Sequence, residues 1–111
     1  MIEITIKQFF DGHLSVPSFL MREDKMPESY VIFEKTSSGK RNHANSATFA
    51  FQSYAPTLYA AASLNEEVKE VIESMIELDE ISGIHLNSDY NFTDTETKEY
   101  RYQAVFDINY F

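Results

Sequence analysis

The sequence predicts an α+β fold: an antiparallel or mixed sheet of about four to five strands, packed by one long helix and a short N-terminal helix. Three observations predict it. Residues 100–111 alternate, with Tyr100, Tyr102, Ala104, Phe106, Ile108 and Tyr110 set against Arg101, Gln103, Val105, Asp107 and Asn109. A strand points successive side chains to opposite faces, so this pattern makes one apolar face and one wetter face. Residues 56–78 follow a different period. Leu58, Ala61, Ala62, Leu64, Val68, Val71, Ile72, Met75 and Ile76 recur at helical spacing, opposite Glu66, Glu67, Lys69, Glu70, Glu73 and Glu77. The third observation is the order of elements: helix, three strands, long helix, two strands.

Residues 2–14 fit both a strand, through Ile2, Ile4 and Ile6, and a helix, through Ile2, Ile6, Phe9, Phe10 and Leu14. The helix is the favoured reading, with Asp11-Gly12 as a turn or helix end. Residues 16–21 read as a short extended segment, placed at an edge by Pro17, which has no N–H to donate. Residues 22–29 form a polar loop. Residues 30–35 then make a strand with Tyr30, Val31, Ile32 and Phe33 apolar on both faces, which points to a central position.

Residues 36–46, TSSGKRNHANS, are rich in turn formers and locally basic, and read as a flexible hairpin loop. The loop is either a solvated tip or an arm that docks on an acidic surface, such as a neighbouring copy. Residues 47–54 form the third strand, with Phe49 and Phe51 on one face and Thr48, Ala50, Gln52 and Tyr54 on the other. Pro56 suits the first turn of the long helix, with Ser53 or a neighbour as its cap. Asn65-Glu66 is a possible break in that helix. Gly83 permits a turn after it. Ile84, Leu86, Ser88, Tyr90 and Phe92 then share the core face of a fourth strand, which pairs with the last through a polar turn at residues 93–97.

The length of 111 residues fits one domain, 1–111. The formal charge of −9 argues against nonspecific binding to nucleic-acid backbones and against docking on anionic membranes. It serves solubility or favours basic partners. The absence of cysteine excludes disulfides, thiolate zinc sites and cysteine nucleophiles. No signal peptide and no membrane-spanning run is expected.

Little in the chain points to catalysis. Dinucleotide, P-loop, serine-elbow and zinc-protease motifs are missing, and there are only three glycines with which to build a phosphate cradle. His13, His43 and His85 fall in different predicted elements, with His85 on a polar strand face. The helix glutamates read as a solvated face. Asp89 and Asp107 are expected to face each other across the last hairpin, each near a cation such as Arg101. No catalytic residue, cofactor or metal ligand is therefore assigned, and an enzyme is not expected. Seven tyrosines and nine phenylalanines exceed what one helix-covered sheet requires, so part of the aromatic set is a candidate subunit contact.

Residues 30–72 and 86–110 carry a resemblance. Pro27, Tyr30, Lys35 and Thr36 lead to Gly39, Arg41 and Asn42, then to Gln52, Ser53, Tyr54 and Ala55 running into an alanine-rich helix. Tyr90, Asn91, Phe92 and Thr93 follow, then Arg101, Tyr102 and Gln103. In this order they resemble small tail proteins of long-tailed bacteriophages and prophages, of the tail terminator or tail-completion (head–tail joining) type. The segment Thr48-Phe49-Ala50-Phe51 departs from the smaller aliphatic residues of that family.

The resemblance implies a structural ring subunit, commonly in a hexamer, at the head-proximal end of the tail. Its partners would be copies of itself, the tail tube protein and the head-connector or stopper protein. Genomic DNA would pass through the lumen without specific binding, and no membrane is involved. The location implied is the tail–head junction of the virion, with assembly in the host cytoplasm. Lys40, Arg41 and Asn42 are the expected loop contacts, with His43 and Arg101 as further subunit or partner contacts. The competing expectation is a small cytoplasmic protein-binding module of the antitoxin, anti-defence or adaptor type.

Overall fold

The alternating segment at the end of the chain is a strand, and it lies inside the sheet rather than at its rim. In the computed structural model, which describes residues 1–41 and 44–111 (for Arg41 the backbone alone), the elements are α1 (Ile2–His13), β1 (Ser18–Phe19), β2 (Tyr30–Arg41), β3 (Ala44–Tyr54), α2 (Leu58–Ser74), β4 (Ile81–Asn91) and β5 (Arg101–Tyr110). A 3-10 turn, Met75–Glu77, extends α2. The five strands form one mixed sheet in the order β1-β2-β3-β5-β4. β1 runs parallel to β2, and every other pairing is antiparallel. The fold is α+β, as the sequence predicts.

One face of the sheet is dry. Ala47, Phe49 and Phe51 of β3 stand opposite Ile108, Phe106 and Ala104 of β5, and all six are buried. Phe33 of β2 joins them opposite Phe51. Both helices lie on this face. Ile2, Ile6, Phe9 and Phe10 of α1 and Leu64, Val68 and Ile72 of α2 enter the same core, with Met75 following. Phe10 meets Phe33 and Phe51 edge-on, with ring centroids 5.4 and 5.6 Å away. Each of these fully buried side chains contributes on the order of 1.5–3 kcal/mol.

Helix α2 starts where Thr57 accepts a hydrogen bond from the Ala60 N–H at 3.1 Å. That hydroxyl satisfies one of the orphan donors of the first turn. The cap is Thr57, so Pro56 lies before the helix and not in its first turn, and Ser53 is a buried residue of β3. The helix passes through Asn65 without a break because Asn65 is buried on its packed side. Leu58 and Ile76, counted in the apolar stripe, are exposed. Among the described residues no helix is long and apolar enough to cross a membrane.

Two expectations about the strands need correction. Residues 36–41 and 44–46 of the expected flexible loop are strand, while Asn42 and His43 lie outside the described residues: β2 continues to Arg41 and β3 begins at Ala44, with Ser37, Ser38, Gly39 and Lys40 paired to Thr48, Ala47, Ser46 and Asn45. The reason is nonlocal. β3 is held on its other side by β5 as far as Asn45, opposite Tyr110, and this templates the extended β2. β2 is flanked on both sides only near Val31 and Ile32, where the short β1 reaches it.

Strand β4 begins at Ile81, so Gly83 lies within a strand, beside a register shift, and not in a turn. A second shift between Leu86 and Ser88 inserts an extra residue. Such a bulge reverses the alternation beyond it. Leu86 stands opposite the buried Phe106, whereas Ser88 stands opposite Val105 and Asp89 opposite Ala104. Tyr90 therefore leaves the core face assigned to it. Leu86, Tyr90 and Phe92 are all exposed.

Candidate functional site

The second face of the sheet carries no helix, and a row of polar and aromatic side chains crosses it. Tyr30, Tyr54 and Arg101 occupy one rung, and Ile32, Gln52, Gln103 and Tyr90 occupy the next. Alternation in β2, β3 and β5, and the bulge in β4 for Tyr90, send all of them away from the core. Gln52 donates through Nε2 to Gln103 Oε1 at 2.8 Å, and Gln103 donates to the Tyr90 hydroxyl. The Tyr54 hydroxyl donates to Gln52 Oε1 at 3.0 Å.

Arginines close this row at one end of the sheet. Arg101 donates from Nε to the Phe92 carbonyl at 2.7 Å and from a terminal nitrogen to the Tyr54 hydroxyl at 3.2 Å. Its guanidinium lies 4.6 Å from the Phe92 ring centroid and 5.7 Å from that of Tyr54. Arg22 comes from the loop after β1 and covers Tyr54 at 5.2 Å and Tyr30 at 5.8 Å. Tyr30 and Tyr54 stack face to face, 4.6 Å apart, between these contacts. Glu99 ties the two arginines together, 2.9 Å from Arg22 and 3.6 Å from Arg101. Burial pushes the Tyr30 phenol up, opposed by Arg22 and helped by Glu99 and Tyr54. For Arg22, burial is the largest influence and acts downward, but Tyr30, Glu99 and Tyr54 together hold the guanidinium above its ordinary value.

The predicted contact residues do not form one cluster. Lys40 and Arg41 occupy the last rungs of β2, opposite Asn45 and Ala44. Lys40 is exposed and makes no ion pair among the described residues. Asn42 and His43 lie outside the described residues. Arg101 is at the opposite end of the sheet, since its rung contains Tyr30 at the start of β2. It fastens the β4–β5 hairpin to the helix-free face and is committed to partners within the chain.

The carboxylates expected to oppose each other are on different faces. Asp107 accepts from Thr48 Oγ1 at 2.7 Å and from Asn87 at 3.3 Å on the helix-free side. Asp89 turns to the helix side at the bulge, where Asn65 donates at 3.2 Å and Lys69 at 3.1 Å. Neither has Arg101 as a partner. Burial, the largest single influence on Lys69, lowers its ammonium, yet the hydrogen bonds and charges of Glu66 and Asp89 outweigh it and raise the group above its ordinary value. His85 is exposed and stands opposite Asp107. His13 stacks on Phe9 at 3.9 Å and bonds the Phe9 carbonyl at 2.8 Å, as a helix-end side chain does. Among the described residues no group of three or more His, Asp or Glu is placed to hold a metal ion.

Sequence reasoning missed Arg22, Glu99 and the Asn65–Asp89–Lys69 group. The alternation of β5 sends Arg101 and Gln103 to one face, and that of β3 does the same for Gln52 and Tyr54. That much of the row was available from sequence; the loop arginine was not. Compared with known proteins, the chain matches no family model and no curated protein.

Proposed function

We propose that this chain is a structural subunit of a phage or prophage tail, a tail terminator or head–tail joining protein. In this reading it assembles as a ring on the head-proximal end of the tail tube, ends tube polymerisation and offers a docking surface to the head connector. One observation supports the reading beyond the sequence resemblance. The resembling segments build two adjoining hairpins, β2–β3 and β4–β5; β4 ends the sheet on one side, and β2, covered by the short β1 only at Val31 and Ile32, leaves an unlike edge on the other. A closed ring needs two different, mutually complementary surfaces on each subunit, because its contacts are head-to-tail. An isologous dimer needs only one.

The chemistry in this reading is contact geometry. The acidic chain would line a lumen that repels passing DNA, consistent with its net charge of −9. The experiment is an elongation assay with the tail-tube protein encoded by the same genome. Added chain should stop tubes at a fixed length and appear as a ring at one end in electron micrographs. Tubes that lengthen unchanged, with bare ends, would reject the proposal.

A further inference from the structure

The ring reading leaves open which surfaces meet, and the sheet offers a specific answer. β1 covers β2 only at Val31 and Ile32, so the outer edge of residues 34–41 pairs with nothing among the described residues. β4 ends the sheet on the other side, and its outer edge is likewise unpaired. Unpaired edges are templates for another strand, and monomers usually blunt them with charge or proline. Residues 36–39, Thr-Ser-Ser-Gly, have neither, and all are exposed.

Direction and level agree as well. β2 is antiparallel to β3, β3 to β5 and β5 to β4, so β2 and β4 of one sheet run in opposite directions. Two copies placed side by side in the same orientation would join β2 to β4 as an antiparallel pair, with helices on a common face. The rungs also correspond. Ser37 shares a rung with Thr48, Asp107 and His85, and Lys40 shares one with Asn45, Tyr110 and Ile81. β2 is irregular between Lys35 and Ser37, whereas β4 shifts between Leu86 and Ser88, one rung away, and again between Ile81 and Gly83. A level join would align Ser37, Ser38 and Gly39 with His85, Ile84 and Gly83, the stretch of β4 between its two shifts.

Charge favours the same two edges. The upper end of the β2 edge carries Lys40 and Arg41. The upper end of the β4 edge is preceded by Asp79 and Glu80, both exposed and without an ion pair among the described residues. In the level antiparallel join, Lys40 of one copy stands opposite Ile81 of the next, directly after Asp79 and Glu80, so a basic strand end lies beside an acidic one. We infer that copies of this chain associate head-to-tail by adding the free β2 edge of one to the β4 edge of the next, with the basic end of β2 against the acidic entry to β4. This rests on the ring-forming reading and names the surfaces it would use.

The test uses cysteines, since the chain has none of its own. Ser37→Cys and His85→Cys are made separately, mixed, and treated with an oxidant or a short bismaleimide under assembly conditions, with tail-tube protein present. The mixture should give covalent dimers while neither variant links to itself. A chain carrying both cysteines should give a ladder that stops at the ring size. Lys40→Glu with Arg41→Glu should lose assembly with unchanged circular dichroism, and adding Asp79→Lys with Glu80→Lys to the same chain should restore it. Self-linking of either single variant would mean a two-fold contact and overturn the inference. Assembly without linking in the mixture, or without the charge-swap rescue, would overturn the strand join alone and leave the ring reading standing. A chain that stays monomeric even with tube ends present would end both.

Discussion

The Asn65 amide, buried on the packed side of α2, donates to the Asp89 carboxylate of β4 at 3.2 Å. This bond exists because the bulge before Ser88 turns Asp89 toward the helix. Lys69, one turn further along α2, donates to the other Asp89 oxygen at 3.1 Å. An edge strand is thereby fastened to the long helix by a partly desolvated polar group.

Asn65→Asp would bury a carboxylate beside Asp89, which is itself partly exposed. Breaking a buried polar network in this way costs about 3–5 kcal/mol. Asn65→Ala removes a donor and leaves Asp89 to Lys69, with a smaller loss of about 1–3 kcal/mol. Urea unfolding of the two variants should rank them in that order.

Phe51 touches the rings of Phe10, Phe33, Phe49 and Phe106 and is fully buried. Phe51→Ala should cost about 3–5 kcal/mol. Alternation places Leu86 on the core face, yet it is 45% exposed. Leu86→Ala should cost about 1 kcal/mol or less, because much of its surface already faces water. Denaturant midpoints at constant slope distinguish the two cases.

What was legible in the sequence is what depends on local period. The β5 alternation and the α2 stripe each hold over enough residues to exclude the other geometry, and the alternation puts Ala104, Phe106 and Ile108 on one face; that this row stands opposite Ala47, Phe49 and Phe51 was not legible, because the β3–β5 pairing is long-range. The bulge near Asn87 was not legible. Ile84, Leu86, Ser88, Tyr90 and Phe92 keep an unbroken alternation in sequence, while one inserted residue reverses its meaning in space. Nor was the length of β2: Thr36, Ser37, Ser38 and Gly39 are turn formers by propensity, and the ladder to β3 overrides them. Of the site residues, Lys40 and Arg41 stood out by charge alone. The placement of Arg101 beside Arg22 needed long-range contacts that no local pattern encodes.

Arg101→Ala should leave assembly intact, since Arg101 sits at the opposite end of the sheet from Lys40 and spends its donors on Phe92 and Tyr54. It should instead lower stability by about 1–3 kcal/mol, from a lost cation–π contact and hydrogen bonds. Thermal unfolding and solution mass, measured on the same sample, separate these effects.

The pH dependence has a sign at each end. Lys69 is held above its ordinary value by Glu66 and Asp89 against burial. Its contribution is full below the unfolded pKa of about 10.4 and disappears as pH rises through the higher folded value. Asp94 is held below the usual carboxylate range, chiefly by the backbone N–H groups of Glu96 and Thr97. Its contribution is present above about pH 3.9 and is lost as pH falls through the lowered folded value. Lys69→Met should flatten the alkaline limb of the stability profile, and Asp94→Ala the acid limb, each leaving the other unchanged.

The central claim is that the chain works by closing on copies of itself. Its most direct test is the solution mass by light scattering over a concentration series, alone and with the purified tail-tube protein. A discrete mass of several copies, near six, either free or on tube ends, is the predicted result. A mass of one chain at every concentration, unchanged by tube ends, would contradict the account.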